Sequence, residues 1–173
     1  MQTLYFNGIG ALIQHINRAR QVTNPALITA RLMAANVVRD RAREKIGEYQ
    51  TEVGPFAAWA PLSEMTMADR AAQGYPDNNP ILRSGELRDS YNVAQEGEAV
   101  GVGSELGKAL GHEVGVPVNP IPGLGPIPPR PILGPALIES EKKIEELIGP
   151  YLFKSIFFAI HQSAGRSIPH EVA

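Results

Sequence analysis

The sequence predicts an α+β fold: a long N-terminal helix packed on a small antiparallel β-sheet, with a Pro-rich loop and a C-terminal helix. Three observations carry that expectation. From Pro25 to Tyr49 apolar residues recur every three or four positions, the period of one buried helix face. Between residues 89 and 104 two short alternating segments flank Glu96-Gly97-Glu98, the pattern of a hairpin. Residues 117–135 hold eight of the 15 prolines, which excludes a helix or a central strand there.

Each element follows from local chemistry. Residues 3–20 can form a short helix with Leu4, Ile9, Leu12, Ile13 and Ile16 on one side, weakened by Gly8 and Gly10. Asn24-Pro25 reads as a helix start, with Asn as N-cap and Pro at the first helical position. Ile28, Leu32, Ala35, Ala42, Ile46 and Tyr49 then form the inward face of the long helix. Breakers at Gly54, Pro55 and Pro61 follow. A small helix opens at Ser63 or Thr66 and closes at Gly74. "ILRSGELRDS" is a turn or a single helical turn. In the hairpin, Tyr91 and Val93 share one face, and so do Val100 and Val102 on the partner strand. "ELGKALGHEVG" is a short helix or turn, Pro135 opens an amphipathic helix, and Gly149-Pro150 breaks or kinks it before a second, strongly apolar helix.

The 173 residues suit one domain with a real core. Within it, residues 1–22 form a helix or arm, 116–131 a Pro-rich arm and 163–173 a frayed tail. Apolar residues make up 43% and charged residues 20%, an ordinary globular balance. A net charge of -2 argues against sequence-independent nucleic-acid binding. The absence of cysteine excludes disulfides, thiolate metal sites and cysteine catalysis. The N-terminus lacks a basic segment ahead of its apolar part, so no secretory signal is expected. No window reaches 18 apolar residues, so the chain is expected to be soluble and intracellular where it is made.

Candidate chemistry is thin. His112-Glu113 would need a second His at position 116 to bind zinc from one helix face, and that residue is Val. The pair reads as solvated groups flanking a turn. Gly101, Gly103 and Gly107 open a loose phosphate-loop pattern that no Lys-Ser/Thr completes. Arg83, Glu86, Arg88 and Asp89 alternate in sign on a short turn, a pattern for salt bridges or a contact between subunits rather than for paired-carboxylate catalysis. Trp59, the sole tryptophan, reads as an anchor pinning the loop after the long helix.

Five segments in order resemble one family, the phage virion morphogenesis proteins of the tail-completion and head–tail joining type. They are Trp59 to Ser63 with Thr66, Leu82 to Tyr91, Val102 to Ser104, His112 to Gly115, and Ile127 to Gly134. The resemblance spans residues 25–148. Two departures stand out: Ile132 lies where an aromatic is commoner, and the Pro-rich stretch ahead of "IPPRP" is longer. The resemblance implies a non-enzymatic structural subunit, with no cofactor or metal, in the neck of a long-tailed phage. Such a protein forms a ring, often of six copies, joining the head-side connector or stopper to the tail tube or tail terminator. DNA passes through its lumen without specific binding, and its place is the virion after assembly in the host cytoplasm.

On that reading, Arg83, Glu86, Arg88 and Asp89 set register against an identical copy. The Pro-rich arm reaches a neighbour through Ile121, Leu124, Ile127 and Arg130. The isolated chain is expected to be monomeric or weakly associated until its neck partners are present. A stopper or tail terminator of the same neck is the near alternative. From other classes stand a carboxylate-dependent hydrolase or nuclease using Glu86, Asp89 and Glu113, and a nucleic-acid-binding regulator using Arg39, Arg41, Arg43 and Lys45.

Overall fold

The computed structural model describes residues 8–118 and 125–163. Among them lie five helices and a two-stranded sheet, an α+β arrangement. In order these are α1 (Ile9–Lys45), α2 (Glu64–Ala72), α3 (Glu86–Ser90), β1 (Asn92–Glu96), β2 (Ala99–Gly103), α4 (Gly107–Val114) and α5 (Leu133–Ser163). The chain clusters into two compact units. Residues 35–143 form one, and the segments up to residue 34 and from residue 144 form the other.

The helix start expected at Pro25 does not form, and of the break or kink expected at Pro150 the break does not occur. Pro25 lies inside α1 and Pro150 inside α5. Asn24 therefore caps nothing, and Gly149-Pro150 does not end the C-terminal helix. A proline removes one backbone bond and crowds one carbonyl, at a cost of about 3 kcal/mol. Helices of 37 and 31 residues outlast that local loss. Four residues on, the Thr29 hydroxyl donates to the Pro25 carbonyl at 3.0 Å.

The C-terminal end of α1 also falls short of the expected Tyr49. Gly47 adopts φ +107 and turns the chain out of the helix, its N–H donating to Pro80 O at 3.0 Å. Tyr49 is consequently exposed, and its hydroxyl bridges Asn78 Oδ1 (2.6 Å) and the Leu62 N–H (3.0 Å). Ala35, Ala42 and Ile46 are buried as their spacing requires, and Val37, Val38 and Lys45 join them.

Lys45 is the unforeseen member of that set. Its ammonium reaches Glu139 on α5 at 2.6 Å and Gln50 Oε1 at 2.8 Å. Arg41 Nε meets the same carboxylate at 2.8 Å. Burial alone would raise the Glu139 carboxyl, but hydrogen bonds from Lys45 and Arg41 hold it below its ordinary value. One carboxylate on α5 thus pins two cations on the last turns of α1.

The hairpin forms as read. Val93 faces Val102 and Gln95 faces Val100, with Glu96 opposite Ala99 across a two-residue turn. Gly97 at φ +58 fills the first central position, where a type II′ turn requires glycine. Two strands alone are marginal in water. This pair is held at its base. Arg43 on α1 donates to Tyr91 O at 2.7 Å and to Asp89 O at 3.2 Å, and Ser90 and Ser104 hydroxyls meet at 2.7 Å. The long helix is thereby packed on the sheet through its last turns.

Trp59 is buried, as expected of an anchor, and its indole N–H donates to Pro131 O at 3.2 Å. Beside it the ring of Phe56 covers Gly134 on the first turn of α5 so closely that any Cβ there would overlap it. In the other unit the buried side chains include Ala26, Ala30 and Ala159, while Ile13, Ile16 and Phe153 are exposed.

Two outcomes follow for the 35–143 unit. Trp59→Ala should lower unfolding free energy by about 3–5 kcal/mol, since it empties a buried ring site and orphans a carbonyl. Gly134→Ala should cost about 1–3 kcal/mol by overpacking against Phe56. Urea titrations followed by circular dichroism measure both.

Candidate functional site

Within the 35–143 unit lies a cleft of about 780 Å³. Its walls come from the segments singled out in the sequence. Pro61 to Ser63 and Thr66 form one side, Leu82 to Arg88 a second, and His112 with Ile127 to Arg130 a third. Local folding explains how each arrives. Ser63 caps α2 by accepting the Thr66 N–H at 3.2 Å, which fixes the start of the helix that carries Asp69 and Arg70. Ile81 then reverses the chain in a three-residue turn, with φ +66 and the Leu82 N–H on Pro80 O at 2.7 Å. A β-branched residue held there stores about 1–3 kcal/mol of backbone strain. Ile81 lines the cleft, so the strain lies in its wall.

The returning Pro-rich segment closes the remaining side. It is not wholly irregular: Val116 and Ile127 exchange two backbone bonds, 2.8 and 2.9 Å, in an antiparallel bridge. Gly115, at φ +78, precedes that bridge, and a side chain there would press on Ile127 O and Pro129. Past it, the Arg130 N–H bonds His112 O at 2.6 Å. The guanidinium of Arg130 is buried and donates to Ala60 O (2.9 Å) and Pro61 O (3.3 Å). Glu113 is not a solvated group: its carboxylate accepts the N–H groups of Ile132 and Leu133 at 3.0–3.1 Å and so caps α5.

Charge is the distinguishing property of the cleft. Arg70, Arg83, Arg88, Lys108 and Arg130 line it against two carboxylates, Asp69 and Glu86, while the whole chain is net negative. Three of the cations have acidic partners. Arg83 meets Asp69 at 3.3 Å and lies over the Tyr75 ring, Arg88 pairs with Asp89 at 2.8 Å, and Lys108 pairs with Glu86. Arg70 and Arg130 have none among the described residues. Arg70 donates only to the carbonyls of Asn79 (2.5 Å) and Leu82 (3.0 Å), and Arg130 only to those of Ala60 and Pro61. Burial lowers both guanidinium groups from their ordinary values, and Arg83 and Arg70 respectively add repulsion. Neither makes an ion pair, and Asp69 and Tyr49 offset the charge of Arg70 only in part, as Tyr49 does that of Arg130.

His112 registers that potential. Contrary to expectation it is not solvated: its Nδ1 is buried without a hydrogen-bond partner. Burial, then Arg130, Arg70 and Lys108, push its pKa down to about 4. Tyr91, also buried with an unpartnered hydroxyl, is pushed upward by burial and by Glu113.

The residues expected to make contacts thus divide. Arg83, Glu86 and Arg88 line the cleft, and Asp89 stands beside it as the partner of Arg88. Ile127 is half-buried in its bridge. Arg130 is enclosed by its own chain rather than presented to another, because the Trp59–Ser63 segment supplies the carbonyls that its guanidinium needs. Ile121 and Leu124 lie outside the described residues. Glu86, Asp89 and Glu113 are not gathered together: they serve Lys108, Arg88 and the α5 N-terminus separately. Arg70 and Lys108 escaped the sequence reading because their neighbours across the cleft lie up to 60 residues away, and no local pattern marks them. No protein-family model matches the chain, and neither a curated protein nor a solved structure matches it significantly. Among the described residues, no helix is long and apolar enough to cross a membrane, and no group of three His, Asp or Glu is placed to hold a metal ion.

The His112 shift gives a pH dependence with a definite sign. Between pH 6.5 and about 4 the unfolded chain binds a proton that the folded chain refuses. Stability should fall as pH drops through that window, by at most about 3 kcal/mol from this group. Urea midpoints measured from pH 7 to 4 should show the loss in the parent chain and a flatter profile in His112→Gln.

Proposed function

We propose that the chain is a non-enzymatic structural subunit of the neck of a long-tailed phage, a tail-completion protein acting as a homo-oligomeric ring between the head-side connector and the tail tube. The observation that carries the reading is where the family-like segments go. Four of the five, scattered from Pro61 to Arg130, contribute to the wall of one cleft. Their polar groups are spent on holding segments together: Arg130 on Ala60 and Pro61, Glu113 on the start of α5, Trp59 on Pro131. Side chains so committed build a shaped, charged surface for a macromolecular partner; they do not leave a base beside a nucleophile. Carboxylates that a hydrolase would share are each occupied by a different structural partner. The reading takes DNA as cargo passing through the ring lumen, with no membrane involved.

Deleting the protein should leave DNA-filled heads and separate tails, with replication and lysis intact. Electron microscopy of lysates with and without the protein provides the measurement. A block in DNA synthesis, or a hydrolytic activity of the purified chain that Glu86→Gln abolishes, would overturn the proposal.

A further inference from the structure

We infer that the acidic tip of the β1–β2 hairpin of one copy seats in the cationic cleft of the next, and that this is the contact that closes the ring. The inference rests on the ring reading above and names the surfaces that would build it. A ring requires a heterologous contact, in which two different patches of one chain complement each other. The chain offers such a pair. Every residue from Ala94 to Ala99 is exposed, including Glu96 and Glu98 on either side of Gly97. The cleft presents five cations against two carboxylates, and among the described residues Arg70 and Arg130 form no ion pair, their donors going to backbone carbonyls.

Physical need runs both ways. An acid entering the cleft gains from guanidinium charge that the wall itself offsets only in part. The hairpin, two strands with no third among the described residues, gains a support that a lone pair of strands lacks. The size also suits a tight turn of chain, since a volume of about 780 Å³ lies in the range that encloses compact ligands. Rim pairs such as Lys108–Glu86 and Arg88–Asp89 are exposed, so they can exchange partners at little cost.

Two sets of variants of the full chain test this. The protein has no cysteine, so Ala99→Cys with Ser84→Cys, one at the tip and one in the cleft, reports a single contact. Oxidation of the concentrated protein should give a ladder of covalent oligomers, and neither single variant should go beyond a dimer. In the second set, Glu96→Lys with Glu98→Lys, and separately Arg88→Glu with Lys108→Glu, should each weaken self-association by about tenfold or more. The fourfold variant combining them should restore it. All six positions are surface or cleft-lining, and circular dichroism checks that each variant folds.

A missing ladder, or failure of the fourfold variant to recover, sinks the inference. If virions still need the protein in that case, the neck reading stands and the cleft serves an acidic segment of a different neck protein. If the ladder forms but deletion leaves virions intact, the contact is real and the neck reading fails.

Discussion

The 35–143 unit depends on one reciprocal clasp. Arg130 sends its guanidinium to the carbonyls of Ala60 and Pro61, and Trp59 sends its indole N–H back to Pro131. Two segments some 70 residues apart are thereby fixed face to face, neither of them in regular structure. Proline supplies no N–H, so carbonyls beside Pro61 and Pro131 have few backbone donors to pair with. A fork of guanidinium donors resolves that shortage at one point. Lysine would lack that planar, forked fit, since its ammonium is a compact charge on a flexible stem.

From the clasp the rest follows in sequence. Holding Arg130 in place holds its N–H against His112 O and so positions α4. The next residue of α4, Glu113, then reaches the first N–H groups of α5. Once α5 starts there, Gly134 meets Phe56 and Glu139 meets Lys45 and Arg41. The same geometry leaves a cleft on the other side of Arg130. Its positive potential is thus a by-product of structural arginines. Buried cations that satisfy carbonyls rather than carboxylates keep their field, and that field adds to the burial that lowers His112.

Much of this architecture was legible in sequence because it rests on short-range chemistry. The Ser63 cap, the Gly97 turn, the single helical turn at Glu86–Ser90 and the buried positions Ala35, Ala42 and Ile46 all depend on neighbours within a few residues. Trp59 was legible as an anchor because a lone indole between breakers has few other uses. The interior prolines misled for the same reason: Asn-Pro and Gly-Pro carry identical local signals at a true helix end and within a long helix.

By itself, then, the sequence determined most element types, the presence of the hairpin around Gly97 and the charge pattern of the turn from Arg83 to Asp89. Tertiary structure alone decided which charges share a space. Arg70 comes from α2, Lys108 from α4 and Arg130 from the Pro-rich return, and only folding brings them to one cleft. It also decided that Glu113 caps a helix 20 residues onward and that Arg130 faces inward rather than out. The reason is physical. A helix cap or a two-residue turn is closed by bonds within one stretch of chain, whereas a buried cation is placed by whichever distant carbonyls can accept its protons.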